Sequence, residues 1–221
     1  MKHKLRRGIS ATLEWMTTAD PPSSLRERRK LRTRQALAET ALALFSEHGF
    51  DNTPLDTLLE EVEVSRRTFF RYYRSKEDVA FTAVKWFWST FLPVLDETEK
   101  SGRLADILRD AVLATLDRMD EEWYPRFSAT LELIERSPAL NGHSLRHCAE
   151  IQAEIRRRIG APDSLEARLL VEFSVTTWRG ALEEWLPEGA PGDLPRCVQR
   201  AFAAMDRSLR VQVCSPESPE A

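Results

Sequence analysis

The chain has 221 residues, 42% hydrophobic and 30% charged, with a formal net charge of -3, enough to build one large domain or a small one joined to a larger. No apolar run approaches the roughly 18 to 20 residues of a membrane span, because the richest stretch, Phe81 to Leu95, is cut by Lys85 and Pro93. The basic N-terminus runs into Ser10, Thr12 and Glu14, too polar for a secretory signal, while Cys148, Cys197 and Cys214 are odd in number and far apart, so a cytoplasmic protein without a disulfide framework or zinc knuckle is expected.

Residues 1–35 hold ten Lys and Arg against Glu14, Asp20 and Glu27, so the net charge conceals +7 here and -10 elsewhere. Such a split suits a basic face for a polyanion on an acidic body. Residues 1–22 lack an apolar face and end in Asp20-Pro21-Pro22, and read as a flexible basic arm. Ser24 to Glu27 has capping-box spacing, and Leu37, Ala41, Leu44 and Phe45 continue a helical stripe that Gly49 stops. These signals predict a helix from Leu25 to His48. Positive charge crowds its first turns and repels the positive helix end, which calls for an anion such as DNA phosphate.

Two short helices with separate start signals follow between Thr53 and Lys76. Thr53 is placed to cap a helix that opens on Pro54 and runs to Glu61, with Asp56 in its first turn. After the link Val62-Glu63-Val64, Ser65 offers a second cap, and behind it Arg66, Arg67, Thr68 and Arg71 supply donors for base edges and phosphates. This is the layout of a helix-turn-helix whose basic second helix reads double-stranded DNA. Ser75-Lys76-Glu77-Asp78 is another capped start, leading into a helix with Phe81, Trp86, Phe87, Trp88 and Phe91 that Pro93 should end or kink.

Further helices are predicted at residues 104–122, 126–136, 140–159, 165–186 and 194–211, between breakers such as Gly102, Pro125, Pro138, Gly160 to Pro162 and Pro187 to Gly192. No alternating strand pattern is present. The expected fold class is all-α: a three-helix helix-turn-helix unit at 23–78, then a helical bundle at 79–212 for ligand binding and dimerisation, with a disordered tail at 213–221.

The runs A-L-A-L-F-S-E-H-G-F-D-N-T-P-L-D-T-L and V-S-R-R-T-F-F-R-Y-Y-R-S-K-E-D-V resemble the DNA-binding domain of TetR-family transcriptional regulators. The resemblance spans Arg34 to Val79. It implies groove-facing roles for Arg66, Arg67, Thr68 and Arg71, phosphate contacts for Thr53, Tyr72 and Lys76, and packing roles for Phe69, Phe70 and Tyr73. One departure stands out. Where the family has a small residue and then glycine in the turn, this chain has Val62 and Glu63, and Glu63 would reach positive φ at a cost of roughly 1 to 2 kcal/mol. The family also implies a small-molecule pocket in the C-terminal part and a homodimer built from its last two helices. The segments L-I-E-R-S-P-A-L and R-L-L-V-E-F are similar to the branch associated with acyl-CoA-like ligands.

In the C-terminal part, Trp86, Trp88, Phe91, Trp123, Phe127, Phe173 and Trp178 are candidates for an apolar effector pocket or for plain core. Arg126 and Arg179 are candidates to meet an anionic ligand group. Val198, Phe202, Met205 and Leu209 make a near-heptad stripe, and Leu182 and Trp185 thicken the helix before it. Both are bundle core or subunit interface, and a dimeric DNA reader favours the interface. His143, His147 and Cys148 form the one metal-like cluster, with no carboxylate or second cysteine to complete it, so neither metal nor cofactor is expected. GxSxG, HExxH and a Gly-rich phosphate loop are all missing from the sequence, and an enzyme is not expected. The sequence therefore reads as a ligand-responsive regulator, a repressor released from its operator by a small apolar or acyl-type effector. The alternative is a helical ligand-binding or metal-dependent enzyme whose N-terminal unit only resembles a DNA-binding head.

Overall fold

A computed structural model describes residues 24–160, 164–187, 193–208 and 210–211; the arm at 1–22, the tail at 213–221 and Leu209 lie outside the described residues. Among them are the helices α1 (Leu25–His48), α2 (Leu55–Glu61), α3 (Arg66–Tyr72), α4 (Lys76–Ala80), α5 (Thr82–Glu97), α6 (Leu104–Leu116), α7 (Trp123–Arg136), α8 (Pro138–Ile159), α9 (Leu165–Trp185) and α10 (Leu194–Ser208). No described residue is in a strand, and no helix among the described residues is long and apolar enough to cross a membrane.

Serine caps set many of these starts. The hydroxyls of Ser24, Ser65, Ser75, Ser137 and Ser164 each accept the backbone N–H three residues on, satisfying one of the orphan donors of a helix start. At Ser24 the Glu27 carboxylate also reaches back to the cap N–H, completing a capping box. Gly49 ends α1 at φ 84, where a side chain would be strained.

Four expectations from the sequence change. Thr53 does not cap α2: Pro54 takes the cap position, and the Thr53 hydroxyl donates instead to Gly49 O at 2.8 Å. The aromatic helix is two helices, broken at Phe81, whose φ and ψ of -83 and 9 end α4. Pro93 does not end α5, which continues to Glu97. A proline inside a helix costs on the order of 3 kcal/mol, and burial of Phe91, Leu92, Val94 and Leu95 around it offsets that at about 1.5 to 3 kcal/mol per large side chain. Finally, α6 stops at Leu116, and α7 begins at Trp123 because Asp120 Oδ1 accepts the Trp123 N–H at 2.8 Å. Pro125 then falls in the first turn of α7, where no N–H is lost.

The first three helices form a head around Leu37, Ala41, Phe45, Leu58, Phe69 and Tyr73, all buried. Phe45 meets Phe50 edge to face at 5.1 Å, and the Tyr73 hydroxyl donates to Arg34 O at 3.0 Å, tying the end of α3 to α1. The body is built on stacked aromatics. Phe87 lies nearly parallel to Trp178 at 4.5 Å, and Trp123 stacks on Phe127 at 4.3 Å. Trp123 Nε1 donates to Ala83 O at 3.0 Å, so its one polar group is satisfied in the core. Polar links join head and body: Arg126 on α7 pairs with Glu39 on α1 at 3.1 Å, and Ser137 bonds the Asp51 carboxylate at 3.2 Å. Near this junction Lys85 on α5 pairs with the buried Asp78 of α4.

Candidate nucleic-acid interface and effector cavity

The turn between α2 and α3 is closed by two backbone bonds, Val64 N–H to Leu59 O at 3.0 Å and Glu63 N–H to Glu60 O at 3.1 Å. This is the Schellman pattern, in which one residue takes the left-handed conformation. That residue is Glu63, at φ 54, the one non-glycine residue of positive φ among the described residues. The turn keeps its shape without glycine and stores the strain in Glu63.

From this turn α3 presents two faces. Phe69 is buried, while Arg66, Arg67, Phe70 and Arg71 are exposed. The Ser65 hydroxyl accepts the Thr68 N–H at 3.2 Å and lies 3.1 Å from the Thr68 hydroxyl. Arg66 grips Asp56 of α2 with two parallel bonds of 2.9 and 2.5 Å. Arg71 donates to the Tyr72 hydroxyl at 2.9 Å and lies over that ring at 4.9 Å. Arg67 makes no hydrogen bond or ion pair among the described residues, so its five donors face solvent.

Two residues expected on phosphate are turned inward. Thr53 is 2% exposed, with its hydroxyl on Gly49. Lys76 Nζ donates to Phe50 O at 2.7 Å and to Thr53 O at 2.9 Å, and sits 4.0 Å above the Phe50 ring. Burial lowers its pKa. Lys76 thus staples α4 to the loop after α1. Phe70 goes the other way: expected on the packing side, it is 52% exposed, set among the arginines of α3. The sequence pattern concealed this because Phe69, Phe70, Tyr72 and Tyr73 are adjacent aromatics, and only the helix phase separates them.

The aromatic candidates for an effector pocket divide among four environments. Trp86 and Trp123 line a cavity of about 650 Å³ between α1 of the head and α5 and α7 of the body, together with Arg126. Trp88, Phe127 and Trp178 line a smaller one of about 120 Å³ inside the body, together with Arg179 and Cys148. Phe91 is core, 1% exposed. Phe173 faces outward at 39% exposed, on one face of α9 with Leu165 and Leu169 at four-residue intervals.

Most of the interface candidates pack inside the chain. Leu182, Trp185, Val198 and Phe202 are buried within a single chain, because α9 and α10 pack along each other and against the body. Trp185, for example, stacks on Phe127 at 6.3 Å. Met205 is half-buried. His143 and His147 pack on Phe81, with ring centroids at 4.7 and 6.2 Å.

Comparisons with known proteins agree with this arrangement. The profile of the bacterial regulatory proteins, tetR family, matches residues 37–82, and that of the MftR C-terminal domain matches residues 103–210. The HTH-type transcriptional regulator TcmR of Streptomyces glaucescens is 30% identical over 217 residues, which cover 92% of this chain and 95% of the relative. The biofilm operon icaADBC HTH-type negative transcriptional regulator IcaR of Staphylococcus epidermidis is 24% identical over 119 residues, covering 54% of this chain and 63% of the relative. Among solved structures, the SmeT-triclosan complex shares the fold with a TM-score of 0.54 at 19% identity, covering 80% of this chain and 91% of that one.

Proposed function

The chain belongs to the tetR family of bacterial regulatory proteins, and on that premise we propose that it is a repressor whose grip on operator DNA is released by a small apolar or acyl-type effector. DNA-binding transcriptional regulation is the function of the family, exercised by homodimers on operator DNA, so the enzyme alternative is set aside. The DNA-binding unit is taken as 23–78 and the effector and dimerisation unit as 79–212, acting in the cytoplasm.

What carries the reading is the exposed face of α3. Arg67 is free to read a base edge, Arg66 can leave Asp56 for DNA, and Phe70 among them suits a thymine methyl. Ser65, Thr68, Arg71 and Tyr72 border that face and would set the helix on the backbone. Release by effector is a population shift, so the effector must bind the DNA-incompetent head spacing more tightly than the competent one.

The dimer contact is taken as the free face of α9, where Leu165, Leu169 and Phe173 are exposed and Gly180 leaves open space for close approach. A mobility-shift assay on DNA upstream of the chain's own gene, at stated salt, tests the reading. Arg67→Ala should weaken specific binding by about 1 to 3 kcal/mol and leave random-sequence binding nearly unchanged. Equal losses on both DNAs would rule out base reading by Arg67.

A further inference from the structure

The larger cavity has walls from both head and body. Leu31, Ala38 and Leu42 come from α1 of the head, Trp86 from α5 and Trp123 from α7 of the body. Its volume of about 650 Å³ falls within the ordinary range of small-molecule sites, roughly 300 to 1,000 Å³. The pocket within the body has about 120 Å³, too little for such a ligand without rearrangement.

The charges around the large cavity are not evenly placed. The carboxylates on its wall already have partners: Glu39 and Glu122 both accept from Arg126 at 3.1 Å, and Asp120 caps α7. Arg34 brings a further cation to the wall, its guanidinium over the Tyr73 ring at 5.3 Å. Burial first, then the charges of Arg74 and Arg34, lower the Lys85 pKa to about 8, while Glu150 opposes them. Asp78 is the buried acid that faces Lys85.

We propose that the cavity between head and body, not the smaller pocket inside the body, is the effector site, and that it takes a molecule with an apolar ring-bearing body and one anionic group directed to Arg34. The apolar body lies between Ala38 and Leu42 on one side and Trp86 and Trp123 on the other. The Glu39–Arg126 pair crosses from head to body on the same wall, so a ligand seated there changes how the head sits on the body without any relay through the distant core. The assignment as effector site rests on the regulator reading; the binding site itself does not.

The probe is 1-anilinonaphthalene-8-sulfonate, an apolar ring system with one sulfonate, compared with uncharged N-phenyl-1-naphthylamine, both followed by fluorescence on the full chain. Ala38→Phe, which fills the cavity, and Gln35→Trp, placed on the exposed side of α1 where folding is spared, should each weaken both dyes about tenfold or more, and Arg34→Gln should weaken the sulfonate about tenfold while sparing the uncharged dye. Leu131→Trp, in the smaller pocket, should change neither.

Loss of dye binding in Leu131→Trp with retention in both α1 variants would place the site in the body and overturn the proposal. Equal effects of Arg34→Gln on the two dyes would overturn the anionic specificity. Operator binding is measured separately. A chain that takes up the dye as described but binds no DNA refutes the regulator reading alone, whereas operator binding that ignores saturating dye refutes the cavity's role as effector site.

Discussion

Glu63 and Lys76 show how much a single side chain decides here. At φ 54, Glu63 holds a conformation that costs a side chain roughly 1 to 2 kcal/mol relative to glycine, a cost partly offset because glycine is freer in the unfolded chain. Glu63→Gly is expected to raise stability to urea by about 0.5 to 1 kcal/mol, and a lower urea midpoint would show that the turn carries no such strain. Its departure from the family pattern was legible in the sequence, since a glycine position in a turn is a local requirement. The work of Lys76 was not legible, because its two carbonyl partners, Phe50 O and Thr53 O, lie more than twenty residues away and belong to a loop with no distinctive side chains. Lys76→Met should destabilise the head by roughly 2 kcal/mol, the scale of hydrogen bonds from a charged donor. Unchanged thermal stability together with weaker DNA binding would return Lys76 to the phosphate contacts.

At the scale of the element, α3 and α9 make opposite points. Helix α3 is only seven residues long, too short to be stable alone. It persists because Ser65 caps it and Phe69 is buried beneath it, which leaves its basic face free. Helix α9 is long and apolar on more than one side, and its sequence cannot say which side is inward. Packing turned Val171, Val175, Trp178, Leu182 and Trp185 inward and left Leu165, Leu169 and Phe173 outside. The dimer prediction therefore moves to a new face. Phe173→Asp should yield folded monomers by sedimentation, whereas Leu182→Asp places an unpaired charge in the core and should unfold the chain at a cost of about 3 to 5 kcal/mol. A Phe173→Asp protein that stays dimeric at micromolar concentration would exclude this face.

At the scale of the whole molecule, the packing of His143 and His147 on Phe81, where α4 meets α5, is expected to weaken in acid. Burial first, then Lys85, holds His143 near 4 and His147 near 3, below the ordinary 6.5. Above pH 6.5 both histidines are uncharged in folded and unfolded chain alike. As pH falls below 6.5 the unfolded chain takes up protons that the folded chain refuses, so stability declines progressively down to about 4 for His143 and about 3 for His147. The thermal midpoint should accordingly drop between pH 6.5 and 4, and His147→Phe, which keeps a ring against Phe81, should make that drop shallower. A variant with an undiminished slope would mean that His147 titrates normally.

Sequence alone determined the all-helical class, most helix starts and stops, the helix-turn-helix and its basic face, because caps, breakers and helical periodicity act between residues within a few positions of each other. Tertiary structure alone decided which aromatics are core, which face of α9 is free, that Thr53 and Lys76 bond to backbone carbonyls, and that the larger cavity lies between head and body. Those outcomes depend on surfaces brought together from distant parts of the chain, and a stripe of apolar residues reads the same whether its partner is the chain's own core, a second subunit or a ligand.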